Sequence, residues 1–357
     1  MVTQPRSAQP PGPAASMPTS YSPQIDSLRA IAVFGVLFQH WTQVSRLGTW
    51  GVTLFFVISG FLITRQIMEL RESGAPLGEA AGTFFLRRTL RLFPAYYLVL
   101  GLAFCVFEMK SVVEDWLWYV SYLSNVLFWI QGKFNPLTPT WSLAVEEQFY
   151  LLWFFVCMWL GPDRISRACF ALLALAPLSR TYFQAVDAPF GGFLLWSNCD
   201  ALAVGALLWL RETHRVSVDE RKTNLPFLAC LLALIPIAAQ GNSSQFWGAP
   251  LETTLVALAS AAAVWRARTG FQGWPGRLLE LRPLVYLGKI SYGIYLYHML
   301  APTIGHLVSR KLPGAWHVTG TFAFHCVLSV SMAALSYHLM ELPIRRLARR
   351  RAVASKH

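Results

Sequence analysis

The chain has 357 residues, of which 55% are hydrophobic and 13% are charged, and its formal net charge is +12. The charged share is about half that of a typical soluble domain, and a soluble protein of this size could not cover so much apolar surface. The basic residues lie between apolar runs, which indicates the positive-inside rule and contact with membrane lipid, and argues against a nucleic-acid partner.

The N-terminal residues 1–24 are rich in Pro and Ser, and Arg6 is their only charge. They lack the basic start, apolar core and cleavage site of a signal peptide, so we predict a disordered tail. Candidate spanning helices, which need roughly 20 mostly apolar residues, occupy most of the remaining chain. The eleven apolar runs are 27–44, 50–68, 89–107, 116–131, 141–160, 165–178, 193–210, 225–239, 251–265, 284–308 and 318–340.

The distribution of Lys and Arg tests this set of runs. If the N-terminus is cytoplasmic and segment 116–131 does not span, 22 of the 30 basic residues lie inside. Two more, Arg29 and Lys289, fall within helices, which leaves six for the outside loops. The bias collapses if 116–131 spans, because every later loop then changes sides.

We therefore predict an all-α fold, a polytopic transmembrane bundle of ten spanning helices with both termini cytoplasmic. The transmembrane domain is residues 25–343, and a basic cytoplasmic tail, 344–357, follows it. Segment 116–131 is rich in Trp and Tyr, which favour the membrane–water interface, so we predict an interfacial or re-entrant segment there.

Polar residues inside the apolar runs are candidates for function, because they are costly at membrane depth. Arg29 and His40 lie eleven residues apart in the first run, about 16 Å along a helix and on one face of it. Arg29 falls near the inner end and His40 in the outer half. A neutral imidazole can take a proton from an attacking hydroxyl. The alternative is an interfacial histidine with its hydrogen bonds satisfied.

Arg88 and Arg91 lie at the predicted inner end of the third spanning helix, where guanidinium groups can bind phosphates or simply anchor the helix by the positive-inside rule. The run 141–160 carries the adjacent acids Glu146 and Glu147 near its outer end. They point about 100° apart, so one should face the bundle interior and could hold the His40 imidazole. The alternative is a favourable interaction of acidic residues with the helix dipole.

A polar stripe is predicted in the run 284–308. Ser291, Tyr295 and His298 recur there at helical spacing and would line a cavity, or else form a tyrosine-rich packing seam. Signatures of other enzymes, such as GxSxG, HExxH, a P-loop or a cluster of Cys and His ligands, are absent from the sequence. We therefore expect no metal and no bound cofactor.

Five motifs in order resemble those of the acyltransferase-3 family of bacterial membrane O-acyltransferases, and together they cover about residues 24–346. The motifs are Asp26-x-x-Arg29 with Arg29-x10-His40, the apolar run Gly51–Ile63 that contains Ser59-Gly60, Arg88-x-x-Arg91, Trp141–Tyr150, and Ser291-Tyr-x-x-Tyr295-x-x-His298. Asp26-Ser27-Leu28 departs from the commoner Asp-Gly start. That difference affects how the helix begins and leaves the activity expectation intact.

The resemblance implies ten membrane helices, an acyl-CoA donor substrate such as acetyl-CoA, and a carbohydrate or glycosylated small molecule as acceptor. It implies His40 as the catalytic base, with Arg88 and Arg91 on the CoA phosphates and Arg29 supporting the same region. In the mechanism that we expect, Glu147 or Glu146 holds His40, and Ser142 or Tyr295 stabilises the oxyanion. The implied location is the bacterial plasma membrane, with multiple passes.

Two other classes of protein remain open at this point. A transporter or flippase of an acylated glycan or small organic acid would also use polar residues in mid-membrane, but the sequence has no clear inverted repeat. A receptor or scaffold would not need a histidine, two glutamates and two arginines in this arrangement. Acyl transfer by purified protein separates the first alternative from the enzyme.

Overall fold

The computed structural model describes residues 21–42, 46–213, 250–312 and 320–347. Within these ranges the regular elements are all helices, which confirms the predicted all-α class. The helices are α1 (Pro23–Thr42), α2 (Leu47–Glu72), α3 (Leu77–Gly101), α4 (Lys110–Glu114), α5 (Trp116–Val120), α6 (Ser124–Gln131), α7 (Thr140–Trp159), α8 (Pro162–Ala185), α9 (Cys199–Thr213), α10 (Glu252–Thr269), α11 (Gly273–Leu279), α12 (Arg282–Lys289), α13 (Ser291–Tyr297), α14 (Ala301–Lys311) and α15 (Phe322–Ser336).

Three helices of the described residues are long and apolar enough to cross a membrane by length and composition. They are Leu47–Glu72, Leu77–Val106 and Phe322–Leu347, the last two extended by short π-helical turns. The predicted run 225–239 lies outside the described residues, as do most of the predicted tails. Ten spans with two cytoplasmic termini therefore stays a prediction.

Segment 116–131 is not one helix. It contains α5, with five residues, and α6, with eight, and neither approaches the roughly 20 residues needed to span a bilayer. The break between them includes Tyr122, whose φ is +55°, a left-handed conformation that ends a helix. Neither helix is long enough to span a bilayer by itself, and the placement of the segment at or in the membrane stays a prediction.

Two predicted runs differ from the helices observed. Helix α3 begins at Leu77 rather than near residue 89, so Arg88 and Arg91 lie inside a helix and not at its end as predicted. The reason is that hydropathy detects apolar side chains, whereas an amphipathic helix continues through polar positions. The predicted run 284–308 is divided into α12, α13 and α14. Pro302 lies in the first turn of α14, and proline lacks the N–H that would continue a helix from α13, which accounts for the break before α14.

Helix α2 lies at the centre of the described bundle and packs on α1, α7, α9 and α10. Its contact with α9 is a backbone contact. A Cβ atom at Gly60 would lie 2.0 Å from the Leu202 carbonyl oxygen, and one at Gly205 would lie 2.1 Å from that of Val57. Small residues at such crossings let membrane helices approach closely, where packing rather than water exclusion drives association.

We predict that Gly60→Ala destabilises the protein, because the added methyl group overlaps the Leu202 carbonyl. Overpacking of this kind costs about 1–3 kcal/mol, which should lower the midpoint of thermal unfolding in detergent. Gly82→Ala is the matched control, since no atom lies within 4 Å of its added Cβ. Alanine inside a helix is favoured over glycine by about 0.5–1 kcal/mol, so an equal loss in both variants would contradict this account of the α2–α9 contact.

Candidate functional site

A central cavity lies where α1, α2, α3, α7 and α13 converge, and it is partly open to solvent: its empty volume of about 650 Å³ includes some of that open space. One stripe of α7 forms a wall: Ser142, Glu146 and Tyr150 are spaced four residues apart, so they lie on the same helix face. From Ser142 to Tyr150 the helix rises about 12 Å. The cavity therefore extends past side chains of different chemistry at successive depths.

Three arginines, Arg29, Arg88 and Arg91, line the cavity together and form what we call its arginine end. Arg88 is 7% exposed, and its guanidinium lies 4.7 Å from the centre of the Tyr150 ring, a cation–π contact. The Nε atoms of Arg29 and Arg88 are buried without a hydrogen-bond partner among the described residues. Like charges held together this way favour an anionic ligand, and guanidinium groups suit phosphate. The structure thus brings together the three arginines that the sequence singled out.

Glu146, and not Glu147, faces the cavity. Its two carboxylate oxygens accept hydrogen bonds from Ser59 at 2.7 Å and from Tyr150 at 2.9 Å. Glu147 points elsewhere: its Oε1 is buried without a partner among the described residues, and Arg88 is a charged neighbour. The predicted pairing of a glutamate with His40 stays a prediction.

Ser142 and Tyr295 form what we call the hydroxyl end of the cavity. Their hydroxyl oxygens lie 2.7 Å apart, and both also lie within hydrogen-bond distance of the Pro139 carbonyl oxygen, at 3.1 and 2.9 Å. Two hydroxyl protons serve these contacts, one between the hydroxyls and one on the carbonyl. Either group must therefore rotate before it can donate to an oxyanion, the role predicted for it.

His40 and His298 lie beside each other next to the hydroxyl end. Their ring centres are 5.1 Å apart, and the His298 ring also contacts Tyr295 at 5.6 Å. His40 is exposed at the surface of the bundle, whereas His298 is buried. Ser291 is also buried, but it does not line the cavity, and its hydroxyl has no partner among the described residues. Of the predicted polar stripe, only Tyr295 faces the cavity.

Sequence reasoning missed three polar residues of the cavity. Ser59 and Tyr150 hold Glu146, and Tyr292 donates a hydrogen bond to the Leu92 carbonyl at 2.9 Å. Each lies inside one of the motifs that carry the family resemblance, and that was the available signal. Hydropathy alone cannot find them, because one hydroxyl in an apolar run barely changes its average.

Comparisons with known proteins agree with the motifs. The acyltransferase domain family matches residues 22–340. YrhL of Bacillus subtilis, provisionally named a peptidoglycan O-acetyltransferase, is 31% identical over 365 residues, which is 91% of this chain and 55% of YrhL. The O-acetyltransferase OatA of Staphylococcus aureus is 29% identical over 360 residues, 91% of this chain and 57% of OatA. No solved structure matches significantly.

The chain spans little more than half the length of these curated relatives. The family match, by contrast, extends across nearly the whole chain. It also includes all the residues that form the central cavity and the histidine pair. The chain belongs to the acyltransferase-3 family.

Proposed function

We propose that this chain is a membrane O-acyltransferase that moves an acyl group, an acetyl group in the first instance, from acyl-CoA to a hydroxyl of a carbohydrate-type acceptor. His40 is the general base. The observation that carries the proposal is the central cavity, which joins three arginines at one end to Tyr295 at the other, beside His298 and His40.

The donor fits the polarity of this cavity. The phosphates of CoA are anions that Arg29, Arg88 and Arg91 can bind by charge-assisted hydrogen bonds. The pantetheine arm is a slender neutral chain, which suits the mixed wall of apolar and hydroxyl side chains in between. Its thioester would then lie toward the hydroxyl end, where a hydroxyl rotated away from Pro139 could donate to the carbonyl oxygen.

The chemistry then needs one proton transfer in each direction. A lone pair of His40 takes the proton of the acceptor hydroxyl as its oxygen attacks the thioester carbonyl. The tetrahedral intermediate collapses, the carbon–sulfur bond breaks, and the CoA thiolate takes the proton back from the imidazolium. The products are the acyl ester and free CoA, and His40 is again neutral.

The acceptor meets His40 from outside the bundle, because that side chain is exposed. The names of the relatives support O-acetylation, and YrhL's name supports peptidoglycan as the acceptor class. The predicted chain crosses a bacterial plasma membrane ten times and has both termini in the cytoplasm. This topology would place the arginine end on the cytoplasmic side, where acyl-CoA is found. His40 would then lie toward the outer side, where such an acceptor is found.

We predict that His40→Ala abolishes release of free CoA from acetyl-CoA in the presence of a panel of sugar and glycan acceptors. Loss of a positioned base typically costs about 10²–10⁴-fold in rate. A free-thiol assay on purified, folded protein measures this. Full turnover by His40→Ala would contradict the proposed role of His40 as the base. Lack of release by the wild-type protein with any acyl-CoA would favour transport or a different donor.

We predict that Arg91→Gln raises the KM for acetyl-CoA by about tenfold or more, the effect of losing a charge-assisted hydrogen bond of about 1.5–3 kcal/mol. The KM for S-acetyl-pantetheine, which carries no phosphate, should not change. Arg87→Gln is the matched control, since Arg87 is exposed on the same helix and does not line the cavity. An equal rise in KM for acetyl-CoA and for S-acetyl-pantetheine would show that Arg91 does not bind the phosphates.

The predicted topology can be tested at two exposed loop positions. Ser73 lies between α2 and α3, and Lys133 lies between α6 and α7, on opposite sides if the positive-inside assignment is right. A membrane-impermeant maleimide should label Lys133→Cys in intact cells and leave Ser73→Cys at the level of the unmodified chain. Detergent should expose both. Equal labelling of Ser73→Cys and Lys133→Cys in intact cells would require a different number of spans between these two positions.

A further inference from the structure

A backbone carbonyl of the neighbouring helix α13 determines which ring nitrogen of His298 carries the proton. Its Nδ1 lies 2.5 Å from the Tyr295 carbonyl oxygen. A carbonyl oxygen only accepts hydrogen bonds, so Nδ1 must carry the proton. In a neutral imidazole the other nitrogen, Nε2, then has a lone pair and can only accept.

That lone pair is buried without a donor. His298 is 3% exposed, and Nε2 has no hydrogen-bond partner among the described residues. A buried acceptor left unsatisfied costs about 1–3 kcal/mol, so the site is suited to a group that brings an N–H or O–H close to it. The His40 ring is a close neighbour, and it can present an N–H.

The distance between the two rings suits a direct contact. Their centres are 5.1 Å apart and their planes are inclined by 52°. An N–H···N hydrogen bond joins heavy atoms about 2.9 Å apart, and the radii of two imidazole rings account for the remainder of the centre-to-centre distance. The two rings are therefore close enough for the bond to form when a His40 ring nitrogen faces Nε2.

We propose that His298 is the residue that positions the base: its Nε2 accepts a hydrogen bond from one ring nitrogen of His40, which leaves the other His40 nitrogen unprotonated toward the acceptor hydroxyl. This inference rests on the proposed function. In the histidine pair, His40 is then the base and His298 is the group that orients it. In Ser-His-Asp enzymes a carboxylate has this orienting role.

The carboxylate that lines the cavity, Glu146, accepts hydrogen bonds from Ser59 and Tyr150, which fix its orientation. Before the reaction both rings are neutral, so the resting pair places no uncompensated charge in an apolar bundle, where an unpaired ion is expensive. When His40 takes the proton of the acceptor hydroxyl, its other N–H remains hydrogen-bonded to Nε2 of His298. His298 itself neither gains nor loses a proton.

The kinetic test compares two substitutions of His298. His298→Phe removes the acceptor, and should lower kcat by about a hundredfold, the low end of what a positioned base contributes, with the KM for acetyl-CoA within twofold. His298→Gln keeps an acceptor oxygen near the position of Nε2 and should recover most of that loss. His325→Phe is the matched control, because His325 is another buried histidine and its ring stacks on Trp41.

The double variant separates positioning from general damage. Residues that act as a unit are non-additive, so His298→Phe should have no further effect on the residual rate of His40→Ala. An additive loss would overturn the proposal, as would equal inactivity of folded His298→Phe and His298→Gln.

A spectroscopic test of the histidine pair does not depend on acyltransferase activity. Nitrogen NMR of histidine-labelled wild-type protein should show scalar coupling between two ring nitrogens across an N–H···N hydrogen bond, and His298→Phe should abolish it. Absence of this coupling in the wild type would overturn the histidine pair. Its presence in a protein that releases no CoA would support the pair and reject the acyltransferase function instead.

Discussion

Helix α2 meets α9 at Gly60 and Gly205 so closely that neither position has room for a side chain. The contact holds α2 in the middle of the bundle, where it also packs on α1 and α7. Ser59 therefore lies opposite the polar stripe of α7 and can hold Glu146. Because the driving force between helices in lipid is packing rather than burial from water, the absence of two side chains here determines where the cavity wall stands.

The cavity combines charge at one end with neutral hydrogen-bonding groups at the other. Its arginines come from α1 and α3, and three positive charges that converge in one lining repel one another and attract an anionic ligand. Glu146 is the acidic residue in the lining, and its hydrogen bonds hold it in place between the two ends. A ligand with a polyanionic head and a long neutral arm matches this order of groups, and acyl-CoA has that form.

The histidine pair lies at the surface side of this cavity, and the two members differ in exposure. His298 is buried and fixed through the Tyr295 carbonyl, while His40 is exposed. The fixed His298 ring can support His40, while the exposed His40 ring stays accessible. A base needs both properties when its substrate arrives from outside the bundle. The break between α13 and α14 contributes to this, because His298 follows the last residue of α13 instead of continuing a long helix.

Composition, hydropathy and motif order determined the helical class, the family and most of the polar residues that meet in the cavity, because each depends on residue types at local spacing. The sequence alone could not show that Glu146 rather than Glu147 faces the cavity, since two adjacent positions differ only by the rotation of α7 against its neighbours. It also could not reveal His298 as the neighbour of His40. Those residues are 258 positions apart, and only the packing of α13 on α1 brings their rings together.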